Sequence, residues 1–291
     1  MLLSIIIPST GGYNNLKIAL DTIYTQKNFS NYEVIVIING FLNDPGFLTR
    51  KYPNISLILN QNNKGSSFAR NQGLALAKGE YIMFMDCDVE LQKDFLFNLQ
   101  SVFNNISSNV AGIAPKIIDK KSRKIFSCGL LISTIYRVYD IGKGEPPEEY
   151  SQVLKIDGPN SCCAVFKREY LDKIKKKDYF DNDFFFLFED ADLALRLKKK
   201  GYNCLFTPQL VCFHQGNSSG ISQEERRYLC FRNRLFMILN NNSYKEIAYI
   251  LTKSFFYDLF RTLHLFLTNR YALKIFSDLP SKYRNEKRRH N

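Results

Sequence analysis

Carboxylates stand at two places where the preceding residues are apolar. Asp86-Cys87-Asp88 follows Tyr81-Ile82-Met83-Phe84-Met85, and Glu189-Asp190-Ala191-Asp192 follows Phe184-Phe185-Phe186-Leu187-Phe188. An ionised carboxylate beside buried apolar groups is costly unless a cation or hydrogen-bond donor faces it. Two carboxylates one residue apart at a strand end suit a hard divalent ion, Mg²⁺ or Mn²⁺, shared with phosphate oxygens. They equally suit an acidic turn. In the second cluster, Asp192 and Arg196 are spaced to pair on a helix, and negative charge at a helix start complements the dipole. Glu189 and Asp190 are then left either to cap that helix or to supply a general base tuned by an aromatic wall and a nearby cation.

Two further stretches carry polar chemistry. Asn62-Asn63-Lys64-Gly65-Ser66-Ser67-Phe68-Ala69-Arg70-Asn71-Gln72-Gly73 reads as a glycine-containing turn opening a helix, whose N-terminus attracts phosphate. Arg70 lies in its first turns, placed to reach a pyrophosphate, to brace the Asp86 and Asp88 carboxylates, or to sit on the surface. Cys212-Phe213-His214 puts one of the chain's 3 histidines after a strand, as a metal ligand completing the carboxylate pair or as a hydrogen-bonded structural residue.

Positioning these groups requires a particular order of elements. Leu2–Ile7, Tyr32–Ile38, Ile55–Leu59 and Glu80–Met85 read as strands, the first two nearly all apolar and so buried on both faces. Leu16–Tyr24 and Phe68–Ala77 have helical spacing. Strand and helix in alternation predict an α/β, doubly wound, mostly parallel sheet. Ligands gather at the carboxyl edge of such sheets, where the breaks after Ile7, Ile38 and Met85 fall. From Ala114 to Gly220 the pattern is mixed: Val138–Glu149 reads as a loop or flap, Phe184–Lys200 enters a helix, Tyr202–Cys212 is strand-like with Pro208 inside, and His214–Gly220 reads as a loop. From Gln223 onward the pattern is helical. The expected organisation is therefore 1–115 and 116–222 as two halves of one domain, followed by a basic, amphipathic helical region at 223–291.

The totals agree with a large globular domain: 291 residues, 45% hydrophobic and 23% charged. Net charge is +12, and Gln215–Asn291 holds 14 Lys/Arg against 6 Asp/Glu, which favours an anionic partner. The 7 cysteines include no CxxC pair, and Cys162-Cys163 is not zinc-ligand spacing. Reduced thiols and a cytoplasmic location are expected. Neither a signal peptide nor an uncharged stretch long enough to span a membrane is recognisable.

Taken in order, a strand ending in Pro-x-Thr, a strand ending in Asn-Gly, NxGxxxARNxG, a strand followed by DxD, an aromatic-rich EDxD helix and a histidine resemble the inverting family 2 glycosyltransferases of GT-A fold. Rhamnosyltransferase-like and galactofuranosyltransferase-like members are the nearest in pattern. The resemblance covers roughly Leu2–Arg234 and rests on order and spacing. It implies that Pro8, Ser9 and Thr10 line a nucleotide pocket, with Asn39, Asn63, Gly65 and Arg70 beside the nucleotide and diphosphate. It implies that Asp86 and Asp88 bind the metal–diphosphate of a nucleotide sugar, that His214 adds a metal or diphosphate contact, that Asp190 is the base and that Glu189 helps position the acceptor. Many relatives carry an acid where this chain has Ile38; Asn39 or Asp44 is placed to compensate, and the nucleotide is expected to be UDP or dTDP.

Treated as one helix, Ile247–Leu267 puts Glu246, Lys253, Tyr257, Asp258, Arg261 and His264 on one side, with Ile250, Leu251, Phe255, Leu259 and Phe266 opposite. Flanked by Arg226, Arg227, Arg232 and Arg234 before it and Lys282–Arg289 after it, such a face suits an anionic membrane surface and a lipid-linked acceptor. The alternative is packing on the catalytic domain or on another subunit. Competing functions are a sugar-1-phosphate nucleotidyltransferase, for which Ser9-Thr10-Gly11-Gly12-Tyr13 is a poor loop, and a catalytically inactive sugar-nucleotide binding module. No nucleic-acid-binding motif is recognisable.

Overall fold

A computed structural model describes residues 3–290 apart from 11–12, 41–44, 53 and 217–219, with side chains described to residue 282. Asp44, part of the loop after His214, and the basic side chains beyond Lys282 therefore lie outside the described residues.

The strands are β1 Leu3–Ser9, β2 Tyr32–Asn39, β3 Ile55–Asn60, β4 Tyr81–Met85, β5 Val89–Leu91, β6 Val110–Asp119, β7 Ile125–Ser127, β8 Leu130–Ile132, β9 Val138–Asp140, β10 Leu154–Ile156, β11 Cys163–Lys167 and β12 Asn203–His214. The helices are α1 Tyr13–Tyr24, α2 Gly46–Lys51, α3 Ser66–Leu76, α4 Phe95–Asn105, α5 Arg168–Ile174, α6 Glu189–Lys199, α7 Gln223–Asn241, α8 Tyr244–Lys253, α9 Phe255–Thr268 and α10 Ile275–His290. The sheet runs β10-β12-β6-β11-β4-β1-β2-β3, with β5 on β12 and β7 on β6. β3, β2, β1 and β4 are mutually parallel. β11 is antiparallel to both β4 and β6, whereas β6 and β12 are parallel. One sheet thus joins a parallel nucleotide-type half to a mixed half.

Alternate residues of the central strands feed two cores. Leu3, Ile5 and Ile7 of β1, with Val34, Val36 and Ile38 of β2, pack with α1 and α4. Ile6, Ile35 and Ile37 face the other way, toward α3, α5 and α6. Burial on both faces explains the β-branched apolar runs. The chain order reverses between β1 and β4, so a crevice opens at their carboxyl ends. In β12 the pairing with β6 jumps between Thr207 and Val211. Pro208, which has no N–H to give the ladder, sits in that irregularity.

Three parts of the chain differ from the sequence expectation. Val138–Glu149 is not simply a loop: β9 pairs with β8 in a separate two-stranded sheet before the turn. The aromatic run is not helical; α6 begins only at Glu189, after a left-handed Phe188. Ile247–Leu267 is two helices, α8 and α9, meeting at the buried Ser254. A single wheel across that stretch therefore loses its phase at the junction.

Candidate active site

A cavity of about 440 Å³ lies at the carboxyl ends of β1, β2 and β4. Pro8, Ser9 and Thr10 line it at the end of β1, and Asn39, Asn63 and Gly65 lie beside them. Asp86 and Asp88 leave β4, Asn160–Cys162 precede β11, Phe185–Asp190 lead into α6, and His214 ends β12. The residues expected to hold the nucleotide, the metal and the acceptor, Glu189 and Arg70 included, all line this one cavity.

Asn39 is engaged mainly with the turn before α3. Its amide donates to Asn63 Oδ1 at 2.9 Å and to Gly65 O at 3.0 Å, and its oxygen accepts from Lys64 N at 3.1 Å. Ile38, one residue earlier, points into the core and not into the cavity. Gly65 has φ +88°, and a Cβ there would meet Phe185 O at 2.4 Å. Only glycine lets the turn approach the aromatic loop so closely.

Arg70 is 3% exposed and braces the carboxylates. It donates to Glu189 Oε1 at 2.6 Å, to Asp86 Oδ1 at 3.0 Å and to Ser161 O at 3.3 Å. Burial works against its charge, but Asp86, Glu189 and Asp190 hold its pKa above the ordinary value. Glu189 also accepts from Ser66 Oγ at 2.7 Å, which ties α6 to α3. Asp190 accepts from Ala191 N at 2.8 Å and from Ser161 N at 3.3 Å. Burial first, then the Glu189 charge, pushes Asp190 up to about 7, against the pull of Arg70. Asp192 pairs with Arg196 at 2.9 Å as the spacing predicts.

Asp86, Cys162 and His214 each offer a ligand atom, and these atoms all lie within 4.8 Å of one another. His214 Nε2 lies 3.4 Å from Asp88 Oδ2, its ring packs on Phe126, and its Nδ1 is buried with no hydrogen-bond partner among the described residues. Burial opposes charge on His214, but Asp88 first, then Asp86 and Asp119, raise its pKa above the usual value. Burial lifts Asp86 to about 6, with Arg70 opposing and Asp88 adding. Crowded carboxylates beside an orphaned imidazole nitrogen fit a divalent cation.

The loop that delivers Asp190 is strained. Phe185, Leu187 and Phe188 have φ of 63°, 69° and 69°, a region bulky residues adopt only when their surroundings impose it. Asn233 of α7, 0% exposed, donates to the carbonyls of Phe184, Phe186 and Leu187 at 3.1, 2.8 and 2.7 Å. Arg232 donates to Asp183 O and Phe184 O at 3.1 and 2.9 Å. Lys282 of α10, 1% exposed, pairs with Asp181 and with Asp183 at 2.9 Å. Sequence reasoning missed Ser66, Ser161, Cys162 and Asn233. Arg232-Asn233-Arg234 reads as a basic run, and nothing local marks its middle residue as the fastening of a loop some 50 residues earlier.

The basic residues before α8 are not a free cationic flank. Arg234 is 1% exposed, donates to Asp258 at 2.6 Å and to Ile135 O, and Arg232 pairs with Asp278 at 3.1 Å. Of the four arginines, Arg227 alone is exposed. Asp258 and Arg261 thus turn toward α7, while Phe256, Phe260 and Leu267 of α9 are 72%, 68% and 84% exposed. Among the described residues, no helix is long and apolar enough to cross a membrane, and all 7 cysteines are free thiols.

The family model described as Glycosyl transferase family 2 matches residues 4–175. Among curated proteins, Glycosyltransferase GlyA of Streptococcus pneumoniae is 28% identical over 142 residues, covering 47% of this chain and 20% of that protein. The Amylovoran biosynthesis glycosyltransferase AmsB of Erwinia amylovora is 27% identical over 219 residues, covering 72% and 69%. Among solved structures, GalNAc-T7 with UDP, GalNAc and Mn²⁺ superposes with a TM-score of 0.63 at 12% identity, covering 82% of this chain and 48% of that one. The chain therefore spans a fifth of GlyA and about half of GalNAc-T7, and at this identity the superposition speaks for the fold, a GT-A arrangement.

Proposed function

The chain belongs to glycosyl transferase family 2, and from that premise we propose that it moves a sugar from a UDP- or dTDP-sugar to a hydroxyl of a glycan or lipid-linked acceptor, with inversion at the anomeric carbon. The observation that carries this reading is Asp190, a half-buried carboxylate pushed up to about 7 that opens onto the same cavity as Asp86, Asp88 and His214. A base with that pKa is available at neutral pH and still holds a proton well.

In this reading Pro8, Ser9 and Thr10 wall the nucleotide, and Asn63 and Gly65 set the turn beside its diphosphate. Asp86, Asp88 and His214 would hold a divalent cation, Mn²⁺ or Mg²⁺. When bound, that ion supplies positive charge against the departing nucleoside diphosphate. Arg70 keeps Asp86 and Glu189 in place. Glu189, fixed by Ser66 and Arg70, positions the aromatic loop on which the acceptor rests. Asp190 takes the acceptor hydroxyl's proton as that oxygen attacks the anomeric carbon in line and the bond to the diphosphate breaks. Phe185–Phe188 shield the reaction from water on one side.

The exposed aromatic face of α9 supports peripheral attachment to an anionic membrane at its cytoplasmic side, where a lipid-linked acceptor would be presented. Release of nucleoside diphosphate from a panel of UDP-, dTDP- and GDP-sugars, with Mn²⁺ or Mg²⁺ and a membrane-lipid extract as acceptor source, tests the reading. Cation-dependent turnover of one donor supports it. Tight nucleotide binding with no turnover for any donor or acceptor would instead favour an inactive binding module.

A further inference from the structure

We infer that Cys162 is a metal ligand, and that Asp86, Cys162 and His214 form an oxygen–sulfur–nitrogen site which takes a borderline divalent ion such as Zn²⁺ or Co²⁺ in preference to Mg²⁺. The inference rests on the proposal that the carboxylates and His214 hold a cation, and it changes which cation the site selects.

The ligand atoms of these three residues already lie within 4.8 Å of one another. The backbone keeps them there. β11 pairs antiparallel with β4, Cys163 opposite Met85, and Asp86 N donates to Cys162 O at 2.8 Å. Cys162 N in turn donates to Asn160 Oδ1 at 3.0 Å, which fixes the turn before the strand. Cys162 is 7% exposed and lines the cavity, whereas Cys163 and Cys212 are wholly buried in the core behind it. The second, independent sign is His214: 8% exposed, lining the same cavity, its Nδ1 without a partner among the described residues.

Ligand chemistry then decides the ion. Mg²⁺ seeks octahedral oxygen ligands and gains little from sulfur. Thiolate and imidazole together suit Zn²⁺ and Co²⁺, and affinity in such sites rises along the first-row series. Cys162 ligates as the thiolate, its proton leaving to solvent when the ion binds. A tightly held zinc would then compete with the ion used in turnover, making the enzyme sensitive to free zinc.

The test is a Co²⁺ titration of the full chain, with and without UDP, read as near-ultraviolet thiolate-to-cobalt charge-transfer absorption, with UDP affinity measured on the same samples. The band is expected in the native protein, displaced by equimolar Zn²⁺ but not by a large excess of Mg²⁺. Removing even a supporting group around a metal costs about 10–100-fold in affinity, so Cys162→Ser is expected to lose the band and bind Co²⁺ at least about tenfold more weakly. Cys230→Ser, whose thiol lies outside the triad, is expected to keep both. Co²⁺ binding without the band, a band that survives Cys162→Ser, or displacement by Mg²⁺ as readily as by Zn²⁺ overturns the inference. A protein that binds UDP but shows no band loses this inference and keeps its proposed function; one that binds neither UDP nor Co²⁺ loses both.

Discussion

Arg70 stands between Asp86 and Glu189, 3.0 and 2.6 Å away, with almost no water around it. Breaking a buried ion pair from one side leaves the other charge uncompensated, typically costing about 3–5 kcal/mol. Arg70→Met is expected to destabilise the fold by that order in denaturant titrations. Arg70→Lys should recover part of the loss, since an ammonium keeps the charge but lacks the fork that spans two carboxylates. Equal stability of Arg70→Met and the native protein would contradict this account of the pair. At Asp190 the sign of the pH effect follows from the raised pKa: the base works deprotonated, so the rate should climb as pH rises through about 7 and level off above. A kcat/KM profile flat from pH 5 to pH 8, a window set as roughly the range over which such a group titrates, would remove Asp190 from that role. At this scale the sequence was only half legible. The Asp192–Arg196 pair follows from spacing alone. The contact of Arg70 with Asp86 was among the options the sequence offered, but its second partner was not, because Glu189 is 119 residues away and only the tertiary fold brings them together.

The element that governs the site is the loop Phe184–Phe188, held in left-handed conformations that its own residues disfavour. Its carbonyls are satisfied by Asn233 and Arg232 of α7, so the helix after the sheet domain shapes the entrance to α6. Asn233→Ala takes the side-chain donor from the carbonyls of Phe186 and Leu187, whereas that of Phe184 keeps Arg232. Each such loss costs about 1–3 kcal/mol, and the loop should relax toward ordinary dihedrals. The expected result is a fall in kcat of at least about tenfold for each 1.4 kcal/mol lost from the transition state, with nucleotide affinity little changed because the β1–β2–β4 edge is untouched. A variant that lost UDP affinity in proportion to turnover would argue against the loop as the point of action. The central strands were readable because short, continuous, β-branched apolar runs closed by turn residues fit strands buried on both faces. The start of α6 was readable from Glu189, Asp190 and Asp192, which mark a helix N-terminus; the conformation of the aromatic loop before it was not, because burial of aromatic residues looks alike in a helix and in a packed loop.

Over the whole molecule, α7–α10 form part of the machinery and also present a surface. Arg234 and Lys282, which count toward the net charge of +12, are internal braces. The outward side of α9 is aromatic and aliphatic instead. That polarity was hidden in the sequence because it depends on Arg234 reaching Asp258 across 24 residues and on the break at Ser254. Apolar area inserted into an interface contributes roughly 25 cal/mol per Å², so Phe256→Asp with Phe260→Asp should abolish sedimentation with anionic liposomes while leaving UDP binding intact. Unchanged sedimentation would mean that this face is not the anchor.

The central claim is that Asp190 removes the acceptor's proton in a cavity that binds a nucleotide sugar. The most direct measurement compares Asp190→Asn with the native protein, reading UDP affinity and nucleoside diphosphate release from the active donor side by side. Loss of the base should lower turnover by about 10²–10⁴-fold with UDP affinity unchanged. Turnover within a few fold of native, at equal UDP affinity, would contradict the claim.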